Sequence, residues 1–549
     1  MYMKKEKWIL LFVFSYLLMI IPGLSVPLII NAAKYLQVGR EIVVNNDWIN
    51  LTVGGDAYDQ KPPLLFWIAA FIVRNFGISV AAYKIAVLLI SLFGIYGTFK
   101  LAELYYGKRT GFLAAVFFAG SLGYIHFHND IHTDTLLIVP VILSVWQYAA
   151  YFKFHQNYRF YLGSVFAGLG MLSKGPVAVV VIGSAVGLHL LLTGNYKAIF
   201  NIRWLPAALI VLILTLPALL GLYSQFGMKG ISFFFWTNNA GRVSGSYAGN
   251  NTDPFFYLHT TLYMMAPWAV FCFIGLYMQI REKIRKKWKF NEQDEFYTLG
   301  GLLFYLLISS VAKAKNPHYE MVILPFWAII GARWTLLIFE NSQQRKLQKT
   351  LDRIHLFTAS LLVLISFIFP AFIFPEGRIW IWAVDIALAG AVVYTFTLKS
   401  SMKRQLTALL LSVTLLLFTL NTNILPHMSR YESSFGACRV FNEQSGPDEK
   451  LHIFTEEARY WQIFLYSRNY GRYIISSEDF RKISPPVNDW LYTGPEGLNR
   501  LKEMKVQVDT VRVFRHNSMS RLSLKFLNPK TRDASLKTRY LLQIKGKPF

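Results

Sequence analysis

Ionisable and aromatic side chains gather in a few polar stretches of an otherwise apolar chain. The longest, residues 31–63, reads NAAKYLQVGREIVVNNDWINLTVGGDAYDQKPP and supplies Asn31, Lys34, Tyr35, Arg40, Glu41, Tyr58, Asp59, Gln60 and Lys61. A second, HFHNDIHTD, brings His126, His128, Asp130, His132 and Asp134, and later ones add Lys174, Arg242, Lys315, His318 and Tyr319. Lysine and arginine stabilise anions, carboxylates accept protons from hydroxyls, and tyrosine donates a hydrogen bond to developing charge. Several of these residues border apolar runs: Asp134 precedes TLLIVPVILSVW, Lys174 interrupts MLSKGPVAVV, and Lys315 with His318 leads into EMVILPFWAII. There an ionisable group is costly enough to be a functional candidate. Singly, each is explained by snorkelling or helix capping; as a set they point to a site.

The elements that position them are membrane spans. With 54% hydrophobic and 16% aromatic residues and repeated apolar runs, the composition excludes a soluble globule. About thirteen spans are expected, near 8–26, 80–100, 111–126, 134–152, 160–173, 177–193, 204–223, 259–280, 297–312, 319–338, 355–374, 379–398 and 405–424. The piece from Leu64 to Phe76 is too short to cross and reads as an interfacial or re-entrant helix. The first apolar run, behind Lys4, Lys5 and Lys7, reads as a retained signal-anchor.

Lys and Arg fall in alternate connections (Lys108 and Arg109, Lys153 and Arg159, Lys197 and Arg203, Arg281 to Lys289, Arg345 to Lys349, Lys399 to Arg404), which places these and the N-terminus in the cytoplasm. The polar stretches, including loop 31–79, then share the outward face. The same asymmetry accounts for most of the net charge of +25, so nucleic acid is not the expected partner. Cys272 lies in a span and Cys438 in the tail, which excludes a disulfide framework. Past residue 427 the character changes: LHIFT, RYIIS and TVRVFRH alternate like strands between helical segments, predicting a small outward α/β domain over 428–549. The whole is an all-α polytopic membrane protein with a soluble C-terminal domain.

The order AKYLQVGREIVVNNDWINL, YDQKPPLLFW, HTDTLL, LGMLSKGPVAVVV and KNPHYEMVILP, over about residues 8–340, resembles the bacterial membrane glycosyltransferases of the aminoarabinose-transferase and protein O-mannosyltransferase type. That resemblance implies a GT-C fold and an extracytoplasmic active site in a bacterial inner membrane. It implies a polyprenyl-phosphate-linked sugar as donor, and lipid A, another envelope glycan or a protein as acceptor, with inversion at the anomeric carbon. Charge builds on the departing phosphate, which makes Lys61, Arg242, Lys315 and Tyr319 the expected phosphate binders, while Asn31, Tyr35, Tyr58, Gln60 and His318 are expected to line the substrate site.

Here the chain departs from its relatives. Asn31 and Gln60 stand where the family usually carries carboxylates, and an amide is neither a strong base nor a good ligand for a hard divalent cation. Three explanations stay open: Asp59, Asp56 or Glu41 substitutes; Asp130 or Asp134 is the base, with Asp134 favoured; or the protein binds prenyl phosphates as an inactive scaffold. His126, His128, Asp130 and His132 are ligand types for a metal, but they share a face only in an extended stretch. A transporter would show internal repeats and polar groups at span midpoints, and neither is found.

Overall fold

The computed structural model describes residues 5–247, 249–287, 294–455 and 460–547; Lys4 and Lys289 lie outside them. Every expected span is helical, and among the described residues seven helices have the length and apolarity of a full crossing. Shorter apolar helices occupy Leu64–Phe76, Val177–Leu192, Tyr297–Val311 and Ile379–Thr395. Others are interrupted. Within Val80–Ala119 two helices meet at Gly107 (φ 81°), which reverses the chain so sharply that Gly111 packs against Phe99, in keeping with the two spans expected there. The second stops at Gly120, so His126 and His128 sit on a separate helix, Leu122–Asn129, rather than in a loop. The run 259–280 is likewise split into Phe256–Met264 and Ala269–Arg285.

Ion pairs gather among the basic connections, and the polar stretches gather apart from them. At one end Arg109 pairs with Glu340 at 2.9 Å, Arg333 with Glu282 at 3.0 Å and Lys283 with Asp294 at 3.2 Å. At the other end lie the polar stretches and the C-terminal domain.

The stretch expected as a polar loop is mostly a buried helix, Ile30–Asn45. Its Ala32, Leu36, Gly39 and Val43 lie at helical spacing, and Gly39 lets it approach the backbone of Ala69 and Ala70 on Leu64–Phe76 so closely that a Cβ has no room. Beyond it, strands β1 (Thr52–Val53) and β2 (Asp56–Ala57) form a hairpin whose turn residues Gly54 and Gly55 both have positive φ, 65° and 79°. Glu41 fastens this turn. Its buried carboxylate accepts from the Gly54 and Gly55 amides at 2.6 and 3.2 Å, the Thr52 hydroxyl at 2.7 Å and the Gln37 amide at 2.9 Å. Glu41 is therefore a structural anchor and not a substitute base.

The C-terminal domain is a five-stranded sheet of β3 (Leu451–Phe454), β4 (Tyr470–Ile474), β5 (Trp490–Thr493), β6 (Gln507–His516) and β7 (Lys537–Gly546), in the order β4-β3-β5-β7-β6. The first three run parallel and β7 pairs antiparallel on both sides. Its short helix Trp461–Tyr466 lies on Ile30–Asn45, where Arg40 donates to the carbonyls of Phe464, Ser467 and Arg468 at 3.0, 3.2 and 2.9 Å. Arg472 reaches the hairpin through the Gly54 carbonyl and Asp56, both at 3.1 Å.

Glu41→Ala leaves the buried Gly54 amide and the more exposed Gly55 amide without their acceptor, at a cost of about 1–3 kcal/mol for the buried one. Amide hydrogen exchange over residues 50–60 is expected to accelerate, and more in Glu41→Ala than in Glu41→Gln, which keeps one carbonyl acceptor.

Candidate functional site

Four side chains from four separate segments meet in one cavity of about 270 Å³: Lys61 before helix Leu64–Phe76, Lys174 at the end of helix Asn157–Lys174, Arg242 on helix Ala240–Ser244, and Tyr319 in the turn Pro317–Ile323. The Arg242 guanidinium donates to the Tyr319 hydroxyl at 2.6 Å and to the Asn238 side-chain oxygen at 2.9 Å. The Lys174 ammonium sits 4.2 Å from the centre of the Tyr319 ring and forms an ion pair with Asp134. Lys61 has no hydrogen-bond or ion-pair partner among the described residues. Burial first, then Lys174 and Arg242, pull its ammonium well below the usual lysine range, against a smaller upward pull from Asp134.

The local sequence explains the placement. Pro62 and Pro63 fix the backbone directly after Lys61, and both are buried. Gly175, with φ 90°, ends the helix behind Lys174, and Pro176 starts the next one. Asn238 donates from its side chain to the Gln60 carbonyl at 3.1 Å, tying the Arg242 segment to the residue before Lys61.

The other expected residues distribute unevenly. Tyr35 and Tyr58 are buried beside the cavity, with the Lys34 ammonium 5.5 and 5.3 Å from their ring centres, and burial raises both phenols. Gln60 accepts from Lys34 at 3.3 Å. His318 stacks on His132 at 4.2 Å between ring centres. Asn31 lies half-buried in the first turn of its helix and does not line the cavity. Lys315 does not line the cavity either: its ammonium donates to the Asp253 carbonyl.

The three carboxylates proposed as base are in different states. Asp134 is buried and ion-paired with Lys174. Asp130 lies 3.2 Å from His132 Nε2; burial pushes its carboxyl up, but His132, His126 and Lys84 together hold it below the usual range. Asp59 is half-buried, burial raises its carboxyl, and it has no ion-pair partner among the described residues.

His132, Asp134 and His318 each place one ligand atom within 4.8 Å of the others, a grouping the histidine-rich stretch alone did not reveal because His318 comes from a distant segment. Two histidines and a carboxylate are a zinc-type donor set, and Asp130 behind His132 is the usual outer partner of such a ligand. The Lys174 ammonium already occupies the Asp134 carboxylate, so a divalent ion there would have to displace it. His128 does not join this group; it bonds Ser91 at 2.7 Å and the Tyr124 carbonyl at 2.6 Å. Lys174 lines the cavity more intimately than Lys315, and its position inside SKGP was the signal for it.

Breaking one side of a buried pair strands the other charge and costs about 3–5 kcal/mol, whereas removing both costs less. Thermal unfolding in detergent is therefore expected to show Lys174→Met and Asp134→Leu each strongly destabilising, and the double substitution less so than their sum.

Residues 60–220 match the family model of dolichyl-phosphate-mannose-protein mannosyltransferases. An uncharacterized protein of Aquifex aeolicus is 26% identical over 351 residues, which cover 63% of this chain and 66% of that one. The undecaprenyl phosphate-alpha-4-amino-4-deoxy-L-arabinose arabinosyl transferase of Edwardsiella ictaluri is 25% identical over 312 residues, 54% of this chain and 53% of its own. The chain thus matches between about half and two thirds of the length of these curated relatives. The crystal structure of ArnT from Cupriavidus metallidurans bound to undecaprenyl phosphate superposes with a TM-score of 0.75 at 14% identity, over 98% of both chains. In matched sequence the chain is similar, over part of its length, to membrane glycosyltransferases of the aminoarabinose-transferase and protein-mannosyltransferase type, and it shares the fold of ArnT.

Proposed function

We propose that this chain is an integral-membrane glycosyltransferase that moves a sugar from a polyprenyl-phosphate carrier to an extracytoplasmic lipid, glycan or protein, inverting the anomeric carbon. In this reading residues 1–427 are the transferase unit of a bacterial inner-membrane protein with a cytoplasmic N-terminus, and residues 428–549 lie outside. One observation carries it: the cationic cavity adjoins an apolar one of about 440 Å³ on the same helix, Val177–Leu192. Val177 and Val180 line the first, and Val179, Ile182, Gly183 and Val186 line the second. A charged head beside a greasy groove is the shape of a prenyl phosphate.

The acceptor oxygen attacks the anomeric carbon while the bond from that carbon to the phosphate oxygen breaks on the opposite face. The electron pair of the broken bond goes to the phosphate, where Lys61, Lys174 and Arg242 stabilise it and the Tyr319 hydroxyl, already accepting from Arg242, donates its proton as a hydrogen bond. Asp59, with its raised and unpaired carboxyl, takes the acceptor proton. Asp134 acts on the phosphate indirectly, by holding Lys174. A zinc-type ion bound by His132, Asp134 and His318 would supply further positive charge there.

Transfer from a panel of synthetic polyprenyl-phospho-sugars by the purified protein tests this reading. Lys61→Ala should lower kcat/KM about 10²- to 10³-fold. Asp59→Asn should lower kcat and leave donor affinity unchanged, whereas Asp134→Asn should weaken donor binding. Turnover is expected to survive chelation. Donor binding without turnover across the whole panel would instead make the protein a prenyl-phosphate-binding scaffold.

The charged form of Lys61 binds the phosphate. Donor affinity is therefore full below the lowered lysine value and falls as pH rises through it. In Lys61→Arg the guanidinium stays charged, so the alkaline fall in donor binding should move to higher pH.

A further inference from the structure

Gln60 stands directly before Lys61, and a neighbouring charge fixes which way its amide faces. The Lys34 ammonium, itself buried, donates to Gln60 Oε1 at 3.3 Å. An ammonium has only protons to offer, so the carbonyl end of the amide must face it and the NH2 end is turned elsewhere. That NH2 makes no hydrogen bond among the described residues. The backbone at this position is held too, since the Gln60 carbonyl accepts from the Asn238 side chain at 3.1 Å. Position 60 therefore offers N–H donors from a fixed base, with its oxygen committed to a cation.

The charge around Lys61 is one-sided. Lys174, Arg242 and Lys34 act on its ammonium as like charges, against Asp134 alone. No Asp or Glu is among the described residues that line the cationic cavity. Nearby carboxylates are placed otherwise: Asp134 is ion-paired with Lys174, Asp130 bonds His132 at 3.2 Å, and Asp59 is half-buried outside the lining. A sugar phosphodiester carries a single negative charge. Set against Asp134 and that phosphate, the cations Lys61, Lys174 and Arg242 still leave one positive charge unbalanced.

We propose that the sugar on the donor is uncharged and that Gln60 sets this choice, its NH2 donating to a sugar hydroxyl while the surplus of positive charge excludes a sugar bearing an ammonium group. This rests on the polyprenyl-phosphate donor proposed above. With the lipid tail in the groove along Val177–Leu192, the sugar takes the flank of the phosphate formed by Tyr35, Tyr58 and Gln60. The Tyr58 hydroxyl is buried and without a partner among the described residues, which gives that flank a second polar group for a sugar oxygen. A sugar hydroxyl accepts from the Gln60 NH2, whereas an ammonium meets it proton to proton.

Polyprenyl-phospho-sugars titrated into the purified full-length protein in detergent test this. Two pairs are compared, each differing by a hydroxyl or an ammonium at one carbon: arabinose with 4-amino-4-deoxyarabinose, and glucose with glucosamine. One unit charge about 10 Å away at an effective dielectric of 20 changes affinity by roughly tenfold. Wild type should bind the hydroxyl member of each pair at least tenfold more tightly. Gln60→Glu adds a negative charge and should shrink that ratio at least tenfold. Gln60→Met removes the donors without adding charge, and should weaken the hydroxyl member about 2- to 10-fold in at least one pair while leaving its ammonium partner unchanged. A ratio taken within one variant cancels any general loss of fold, and a residue that only held Lys34 in place would move both members together. Equal affinity within the pairs, a preference for the ammonium member, or ratios that neither substitution changes would overturn the proposal. Polyprenyl phosphate without a sugar separates the two levels. If wild type binds it but the ratios fail, only the choice of sugar falls; if wild type does not bind it, the glycosyl-transfer reading falls as well.

Discussion

Lys61, Lys174 and Arg242 repel one another across a cavity of about 270 Å³, and the surrounding segments are built to hold them there. Two unit charges 4 Å apart interact by about 4 kcal/mol at an effective dielectric of 20, so such a cluster needs opposing partners or a rigid frame. Lys174 has Asp134 and the face of Tyr319; Arg242 has Asn238 and the Tyr319 hydroxyl. Lys61 is held by backbone alone, between the Gln60 carbonyl tied to Asn238 and the two buried prolines. An entering anion would relieve that repulsion, which is how the same geometry would become affinity for the phosphate of the proposed donor.

The frame extends well beyond the cavity. Lys61 belongs to a segment whose course is set by Glu41 at the hairpin turn and by the close contact of Gly39 with Ala69 and Ala70. That segment is in turn covered by the C-terminal domain through Arg40, Arg472 and the helix Trp461–Tyr466. The Lys34 ammonium, 5.9 Å from the ring centre of Trp461 and bonded to Gln60, carries the contact from the C-terminal domain to the residue next to Lys61. The sheet domain thus supports the site without contributing a residue to the cavity lining.

Chemistry was more legible in the sequence than shape. Asp134, Lys174 and His318 could be picked out because an ionisable group beside an apolar run is costly, and that cost does not depend on knowing the fold, whereas Lys61, Arg242 and Tyr319 stood out by the anion-stabilising chemistry of their side chains. Helix Ile30–Asn45 was not legible, because its buried face contains Lys34, Gln37 and Glu41, whose partners arrive from the hairpin and from Gln60. The role of Asp134 was also hidden: its partner Lys174 lies on another helix, and no local pattern shows that the carboxylate is ion-paired. The pairing of His132 with His318 depends on the same long-range packing, as does the diversion of Lys315 to the Asp253 carbonyl.

The amide at position 60 gains a physical meaning from these contacts. Gln60 keeps the carbonyl that a carboxylate would offer to Lys34, and its backbone carbonyl still receives Asn238, so the local architecture survives the loss of charge. A carboxylate at position 60 would partly neutralise the Lys61 neighbourhood, lifting the ammonium toward its usual range and weakening the attraction for a phosphate. The amide leaves Asp134 as the carboxylate paired inside the cluster. Asp59 stands beside Gln60, half-buried and with its carboxyl raised by burial, so in the proposed reaction the two electrostatic tasks fall to different groups: the cationic cavity would take the leaving phosphate and Asp59 the acceptor proton.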